Sequence, residues 1–365
     1  MLKTFLAVLF AALCVNTAAA QSLQTSIGAV TLTRMLGGLN QPWAVDVLPD
    51  GGFVVTERSG ALLHATATGE LLRVTGVPKV VARGQGGLLD VTVARDFEAS
   101  REIFLSYSGP GRGGAATTLA IARLSDDGKR LENMRAVFQA NPVMGGGRHF
   151  GSRVVEARDG TLFLTLGDRG DRPSAQDLGS HNGSVIRINR DGSVPVDNPF
   201  VGRAGILPEI WSYGHRNMQG AALDRGGNLV TVEHGARGGD EVNRPQAGAN
   251  YGWPVISYGV HYSGAKIGDG TSKPGLEQPA YYWDPSMAPS GLMVYSGKLW
   301  PEWRDQIFVG SLKFNYISRL TGRPLREAEQ IKSQETQRVR DIIEAPDGSI
   351  WFVSVGQQAV YRITP

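Results

Sequence analysis

Apolar and polar residues alternate with a period of two over short stretches that open on Asp-Gly or Gly-Gly, the mark of strands entered through tight turns. One such stretch is Pro49-Asp50-Gly51-Gly52 followed by Phe53-Val54-Val55-Thr56-Glu57; a second is Asp159-Gly160-Thr161 followed by Leu162-Phe163-Leu164-Thr165. The pattern returns as Gly226-Gly227-Asn228 before Leu229–Glu233 and as Pro346-Asp347-Gly348-Ser349 before Ile350–Ser354. Two copies without the glycine begin at Arg101 and Arg304. Six copies about 43 to 78 residues apart imply radial repetition, so the expected fold is all-β, a six-bladed β-propeller; a pair of β-sandwiches is the alternative. The spacing exceeds what four short strands need, and the surplus falls in loops, where such scaffolds carry chemistry. A ring is one unit, so residues 21–365 are expected to form a single catalytic domain. The alternating run Val30–Leu36 is the candidate strand that closes the last blade. Arg326–Thr336 reads as a turn or two of helix.

The first twenty residues follow a different pattern. Met1-Leu2-Lys3 gives a basic start, Thr4–Val15 an apolar run and Ala18-Ala19-Ala20 a small-residue cleavage site, as in a secretory signal peptide. The product is then periplasmic or secreted. The single cysteine, Cys14, lies in this segment, so residues 21–365 rely on packing without disulfides. No later run of eighteen apolar residues signals a membrane span. Glycine, at 48 of 365 residues, supports a turn-rich chain. Lys+Arg 37 against Asp+Glu 34 are interspersed, which is no footprint for nucleic acid.

Five Gly-rich loops carry polar residues that strands do not need: Gly84-Gln85-Gly86-Gly87, Gly147-Arg148-His149-Phe150-Gly151, Gly167-Asp168-Arg169-Gly170, Gly214-His215-Arg216-Asn217 and Glu233-His234-Gly235-Ala236. With Asp240-Glu241-Val242-Asn243, Asn250-Tyr251-Gly252-Trp253-Pro254, Ala288-Pro289-Ser290-Gly291, Ser311-Leu312-Lys313 and Arg338-Val339-Arg340-Asp341, the ordered set resembles the soluble quinoprotein sugar dehydrogenases, in particular their aldose sugar dehydrogenase branch. The likeness runs from about Leu39 to Tyr361.

The resemblance implies a six-bladed propeller, a pyrroloquinoline quinone (PQQ) cofactor, Ca2+, and oxidation of an aldose at C1 to its lactone, with electrons passing to a separate acceptor. It implies His149 as general base with hydride transfer to the quinone C5, Asp168 as the residue that orients His149, and Gln85 against the sugar hydroxyls. PQQ carries three carboxylates, which arginine and amide donors suit; the implied holders are Arg216, Asn217, Lys313, Arg338 and Arg340. Implied calcium ligands are the carbonyls of Gly235 and Ala236, with Glu241 and the Tyr251 carbonyl at a second, structural ion. The family's pattern also leads to an acidic residue in the last repeat, where this chain reads Phe352-Val353-Ser354-Val355-Gly356. Tyr281, Tyr282 and Trp283 are either cavity wall or core, and His64, His181 and His261 receive no role. Two other readings stand beside this one: a calcium-dependent propeller hydrolase of the lactonase type, and a non-catalytic binding propeller. The assembly is expected to be a monomer or homodimer.

Overall fold

The computed structural model describes residues 20–365; the expected signal peptide and Cys14 lie outside the described residues. Twenty-five strands form six antiparallel sheets. The innermost strands are Pro42–Val47, Leu88–Val93, Val154–Glu156, Met218–Leu223, Pro289–Val294 and Val339–Glu344. Each packs beside the next, and the last returns to the first, closing a six-bladed propeller around an axial channel. The sandwich alternative is thereby excluded.

All six sequence copies hold the same structural place. Phe53–Glu57, Glu102–Gly111, Leu162–Thr165, Leu229–Glu233, Ile307–Ser311 and Ile350–Ser354 are each the second strand of a blade. These strands are covered on both faces by neighbouring blades, and Phe53–Glu57, Ile307–Ser311 and Ile350–Ser354 are buried at every position. Burying each large apolar side chain contributes about 1.5–3 kcal/mol, so the blade interfaces are the main source of cohesion. One interface stacks Trp43 and Leu88 on Leu105; another gathers Tyr295, Trp303, Phe308 and Phe352.

The last blade draws on both ends of the chain, as the Val30–Leu36 pattern requires. Gly28–Gly37 pairs antiparallel with Ala359–Thr364, placing Leu32 opposite Ile363, and Gln21–Thr25 adds a fifth strand at the outer edge. Arg326–Ile331 is a strand and not a helix. It is the outer strand of the fifth blade, with alternating exposure, and Arg319 bonds across to Glu329 at 2.8 Å. Sheet pairing and cross-strand contacts override the helix preference of Glu, Ala and Gln. Tyr281–Trp283 is likewise the outer strand of the fourth blade, away from the axial cavity. Among the described residues no helix is long and apolar enough to cross a membrane.

Candidate active site

Antiparallel blades bring the start of every inner strand and the turn after every second strand to the same end of the ring. A cavity of about 540 Å³ opens there, lined from all six blades by residues including Trp43, Gln85, Phe150, Asn217, Lys313 and Arg340. Of the sequence candidates, Gln85, Asn217, Lys313, Arg338 and Arg340 line this cavity directly.

His149 stands beside it on the connection into the third blade, with a left-handed backbone of φ 53°. Such a conformation costs a residue other than glycine about 1–3 kcal/mol and persists only when neighbours hold it. The Gln85 side-chain oxygen accepts the His149 backbone N–H at 2.7 Å, and the next connection is Gly151, whose N–H reaches the Asn217 oxygen at 3.3 Å. Arg169 clamps the same loop from behind. Its guanidinium stacks 3.6 Å from the Phe150 ring centre and donates to the carbonyls of Gly146 at 2.6 Å and Arg148 at 3.3 Å.

Asp168 is fully enclosed and accepts three bonds: His149 Nδ1 at 2.6 Å, Gly170 N–H at 2.7 Å and the Trp253 indole N–H at 2.8 Å. Burial alone would raise its carboxyl, but these donors hold it below the ordinary carboxylate range. An ionised Asp168 accepts only, so His149 Nδ1 carries the hydrogen and Nε2 keeps its lone pair. Burial, with Arg216 and Arg148 nearby, holds His149 below its ordinary value against the pull of Asp168. The result is a neutral imidazole of fixed tautomer. Gly167 makes the close approach possible, since a Cβ there would collide with the His149 carbonyl and the Asn217 oxygen.

The opposite wall is cationic. Arg58, Lys313, Arg338 and Arg340 line the cavity together, and no carboxylate lines it with them. Burial, then repulsion from Arg153, Arg338 and Arg58, pushes Arg340 down to about 9. Arg340 donates to the Gln219 oxygen at 2.8 Å and Arg338 to the Leu312 carbonyl at 3.2 Å. Val339 between them is buried, so the two guanidiniums share the cavity as their spacing implies. Arg216 lies over Trp253, its guanidinium 5.3 Å from the ring centre, and its buried Nε has no partner among the described residues. Such a surplus of positive charge around one cavity, with no carboxylate to balance it, fits a compact polyanion. A planar tricarboxylate such as PQQ meets that requirement.

Gly235 and Ala236 follow His234 at the cavity edge, with Gly235 N–H held by Asp240 at 2.8 Å. Glu241 and Tyr251 do not reach the cavity. They belong to a second polar centre inside the fourth blade, where Asn243 donates to both Glu233 at 3.0 Å and Glu241 at 3.1 Å. Tyr251 stacks at 4.6 Å on His215, which in turn bonds Glu233 at 2.8 Å. Burial, with Glu233 and Asp240 adding repulsion, pushes Glu241 up to about 8, and the buried Asn243 Oδ1 is without a partner among the described residues. An oxygen-rich centre with crowded carboxyl groups and a free acceptor fits a hard cation. Among the described residues no three His, Cys, Asp or Glu side chains gather as a metal cluster, so either ion would need backbone and amide oxygens.

Trp43, Arg58 and Gln219 line the cavity without having been singled out in the sequence, and His234 lines it from a loop that the sequence marked without giving that residue a role. His234 is a second neutral imidazole, pushed down to about 3 by burial and Arg216, with Nε2–H donated to the Pro289 carbonyl at 2.6 Å. Position was the available signal. Arg58 and His234 directly follow second strands, in the place that Lys313 and Asp168 hold a residue or two later in their own blades.

A propeller with this axial cavity is, by its family, an oxidoreductase that acts on sugars. The chain belongs to the Glucose / Sorbosone dehydrogenase family, which it matches over residues 39–362. It is 43% identical to the aldose sugar dehydrogenase YliI of Escherichia coli, across 87% of each chain. Its fold superposes on the apo-form crystal structure of the soluble aldose sugar dehydrogenase of E. coli with a TM-score of 0.88, at 41% identity, covering 92% of this chain and 99% of that one. The PQQ-bound aldose sugar dehydrogenase of Streptomyces coelicolor gives 0.73 at 25% identity, covering 90% and 95%.

Proposed function

We propose that the protein oxidises aldose sugars at C1 to the lactone, using PQQ and calcium, and hands the electrons to a separate acceptor. The observation that carries this reading is the 2.6 Å bond between His149 Nδ1 and the buried Asp168, set beside a cavity of unpaired cations. Arg58, Lys313, Arg338, Arg340, Arg216 and Asn217 would hold the anionic cofactor. Gly235 and Ala236 would offer carbonyls to a calcium beside it, and Glu241 with the Tyr251 carbonyl would serve a structural calcium. When bound, the quinone supplies a two-electron acceptor and calcium a Lewis acid.

The residues of the chain do the rest. Gln85 donates its amide to the sugar hydroxyls while its oxygen fixes the His149 backbone. His149 Nε2 takes the proton of the C1 hydroxyl, and Asp168 stabilises the imidazolium that forms. Leu89, Phe150 and Leu312 along the wall keep bulk water out of the reacting space. The lactonase reading needs carboxylates converging on one metal, and the cavity presents cations instead. Residues 1–20 direct the chain to the periplasm or outside the cell, and residues 21–365 act as one catalytic domain, alone or as a homodimer.

The test is to add PQQ with calcium to the purified protein and follow aldose-dependent dye reduction. His149→Ala abolishes turnover and leaves PQQ binding, read by its absorbance, within a few fold. Absence of turnover with every aldose, at PQQ concentrations where binding is measured, would overturn the proposal.

A further inference from the structure

The net charge of +3 conceals a polarised surface. Arg83, Arg112 and Arg148 occupy three Gly-rich connections at the cavity mouth, and the one bearing Arg148 touches both of the others. Gln85 N–H bonds the Gly147 carbonyl at 2.7 Å, and Ala115 N–H bonds the Met144 carbonyl at 3.0 Å. Arg112 stands at the tip of a hairpin whose strands, Glu102–Gly111 and Gly114–Leu124, run for 10 and 11 residues. All three arginines are exposed, as are Lys313 and Arg338 across the mouth.

None of these five cations forms an ion pair among the described residues. Some surface cations elsewhere are neutralised, Arg123 by Asp126 at 2.6 Å, Arg130 by Glu132, Arg225 by Asp305 at 3.2 Å and Lys273 by Asp269 at 2.7 Å, while others such as Arg73 and Arg203 also lack an ion pair; what sets these five apart is that they stand around one opening whose lining includes no carboxylate. The exposed acids on the connections around the mouth, Asp171, Asp177 and Asp284, pair with none of the five. A face of like charges left unpaired repels itself, and what it gains is a field that draws anions toward the cavity. A neutral aldose is indifferent to that field. The cofactor's carboxylates are matched by the cations inside the cavity, which leaves Arg83, Arg112 and Arg148 outside that balance.

We infer that the rim between the second and third blades, carried by Arg83, Arg112 and Arg148, is the docking surface for the electron acceptor, a redox protein presenting an acidic face. The inference rests on the dehydrogenase reading above. Each lactone formed releases two electrons and two protons. Two one-electron acceptor molecules leave reduced, and the protons pass to solvent. Steering of this kind raises association rates by about 10-fold or more and weakens as salt shortens the Debye length to about 8 Å.

The reconstituted enzyme is assayed with aldose and three oxidants: ferricyanide as anion, hexaammineruthenium(III) as cation, and a neutral phenazine-type dye. For ferricyanide, kcat/KM falls about 10-fold between 10 and 300 mM salt, while the cationic oxidant shows a flat or rising profile. The double variant Arg83→Glu/Arg112→Glu removes most of the ferricyanide advantage at low salt and leaves the neutral-dye rate within twofold; Arg148 is retained because it adjoins His149. Fluorescence anisotropy with labelled polyaspartate, read without turnover, shows binding to the wild type and at least a 10-fold loss in the variant. Equal salt profiles for the anionic and cationic oxidants, or polyaspartate binding unaffected by the variant, overturn the inference. Failure of every oxidant, with polyaspartate binding intact, overturns the dehydrogenase reading instead.

Discussion

Replacing Asp168 by Asn tests the site at its most constrained atom. All three partners of this carboxylate are donors: His149 Nδ1–H, the Gly170 N–H and the Trp253 indole. An amide has one acceptor oxygen, so its NH2 must face a donor whichever way it turns. Facing Trp253, it strands the indole; facing His149, it forces the hydrogen onto Nε2 and removes the base. Loss of the correct tautomer, with loss of the charge that stabilises the imidazolium, costs about 10²–10⁴-fold in kcat, or roughly 3–5 kcal/mol of barrier. The pH dependence has a definite sign. Asp168 raises the His149 pKa against burial and the arginines, so its removal lowers that pKa further. The acid limb of kcat/KM, already below the ordinary histidine value, moves to still lower pH. Steady-state kinetics between pH 4.5 and 8, with PQQ affinity measured in parallel, reads both effects. A kcat within threefold of wild type, or an acid limb displaced upward, would refute the tautomer argument.

Three further outcomes follow from the same geometry. Arg169→Met frees the loop bearing the left-handed His149, lowering kcat about 10-fold with PQQ affinity unchanged, and Arg169→Lys restores only part because a point charge cannot hold several carbonyls at once. Arg340→Gln weakens PQQ binding about 10- to 100-fold, yet raises or preserves the melting temperature of the cofactor-free protein by relieving repulsion with Arg153 and Arg338; titration and differential scanning fluorimetry measure the two. Chelation of calcium lowers the melting temperature by several degrees in the wild type, and Glu241→Gln shrinks that difference if the centre beside Asn243 holds an ion.

The fold was legible because blades repeat. A turn, an alternating strand and a second small residue recur wherever two neighbouring blades must cover one strand, and that constraint is written locally. Candidate residues that the structure brings together were legible where a polar side chain interrupts a glycine run, as at Gln85, His149 and Asp168. Arg58 was not, because it follows a strand with no unusual neighbours and reads as an ordinary surface cation. Trp43 was not, because a tryptophan at the start of a buried strand has the same local pattern whether it meets a cavity or a core. The misread segment Arg326–Ile331 has the composition of a helix, and only the partner strand Ile317–Thr321 decides otherwise. Glu241 and Tyr251 were legible as polar residues, but their distance from the cavity depends on how the long connection after Asn243 folds back against His215.

The pairing of Gly28–Gly37 with Ala359–Thr364 sets the order in which function can arise. A nascent polypeptide holding five finished blades still has an open seam, and Gly28–Gly37 waits with one edge bare. The cavity draws a wall from every blade, so no partial product of synthesis offers the complete set of cofactor contacts. Assembly of the whole cavity therefore waits until Ala359–Thr364 has sealed the circle.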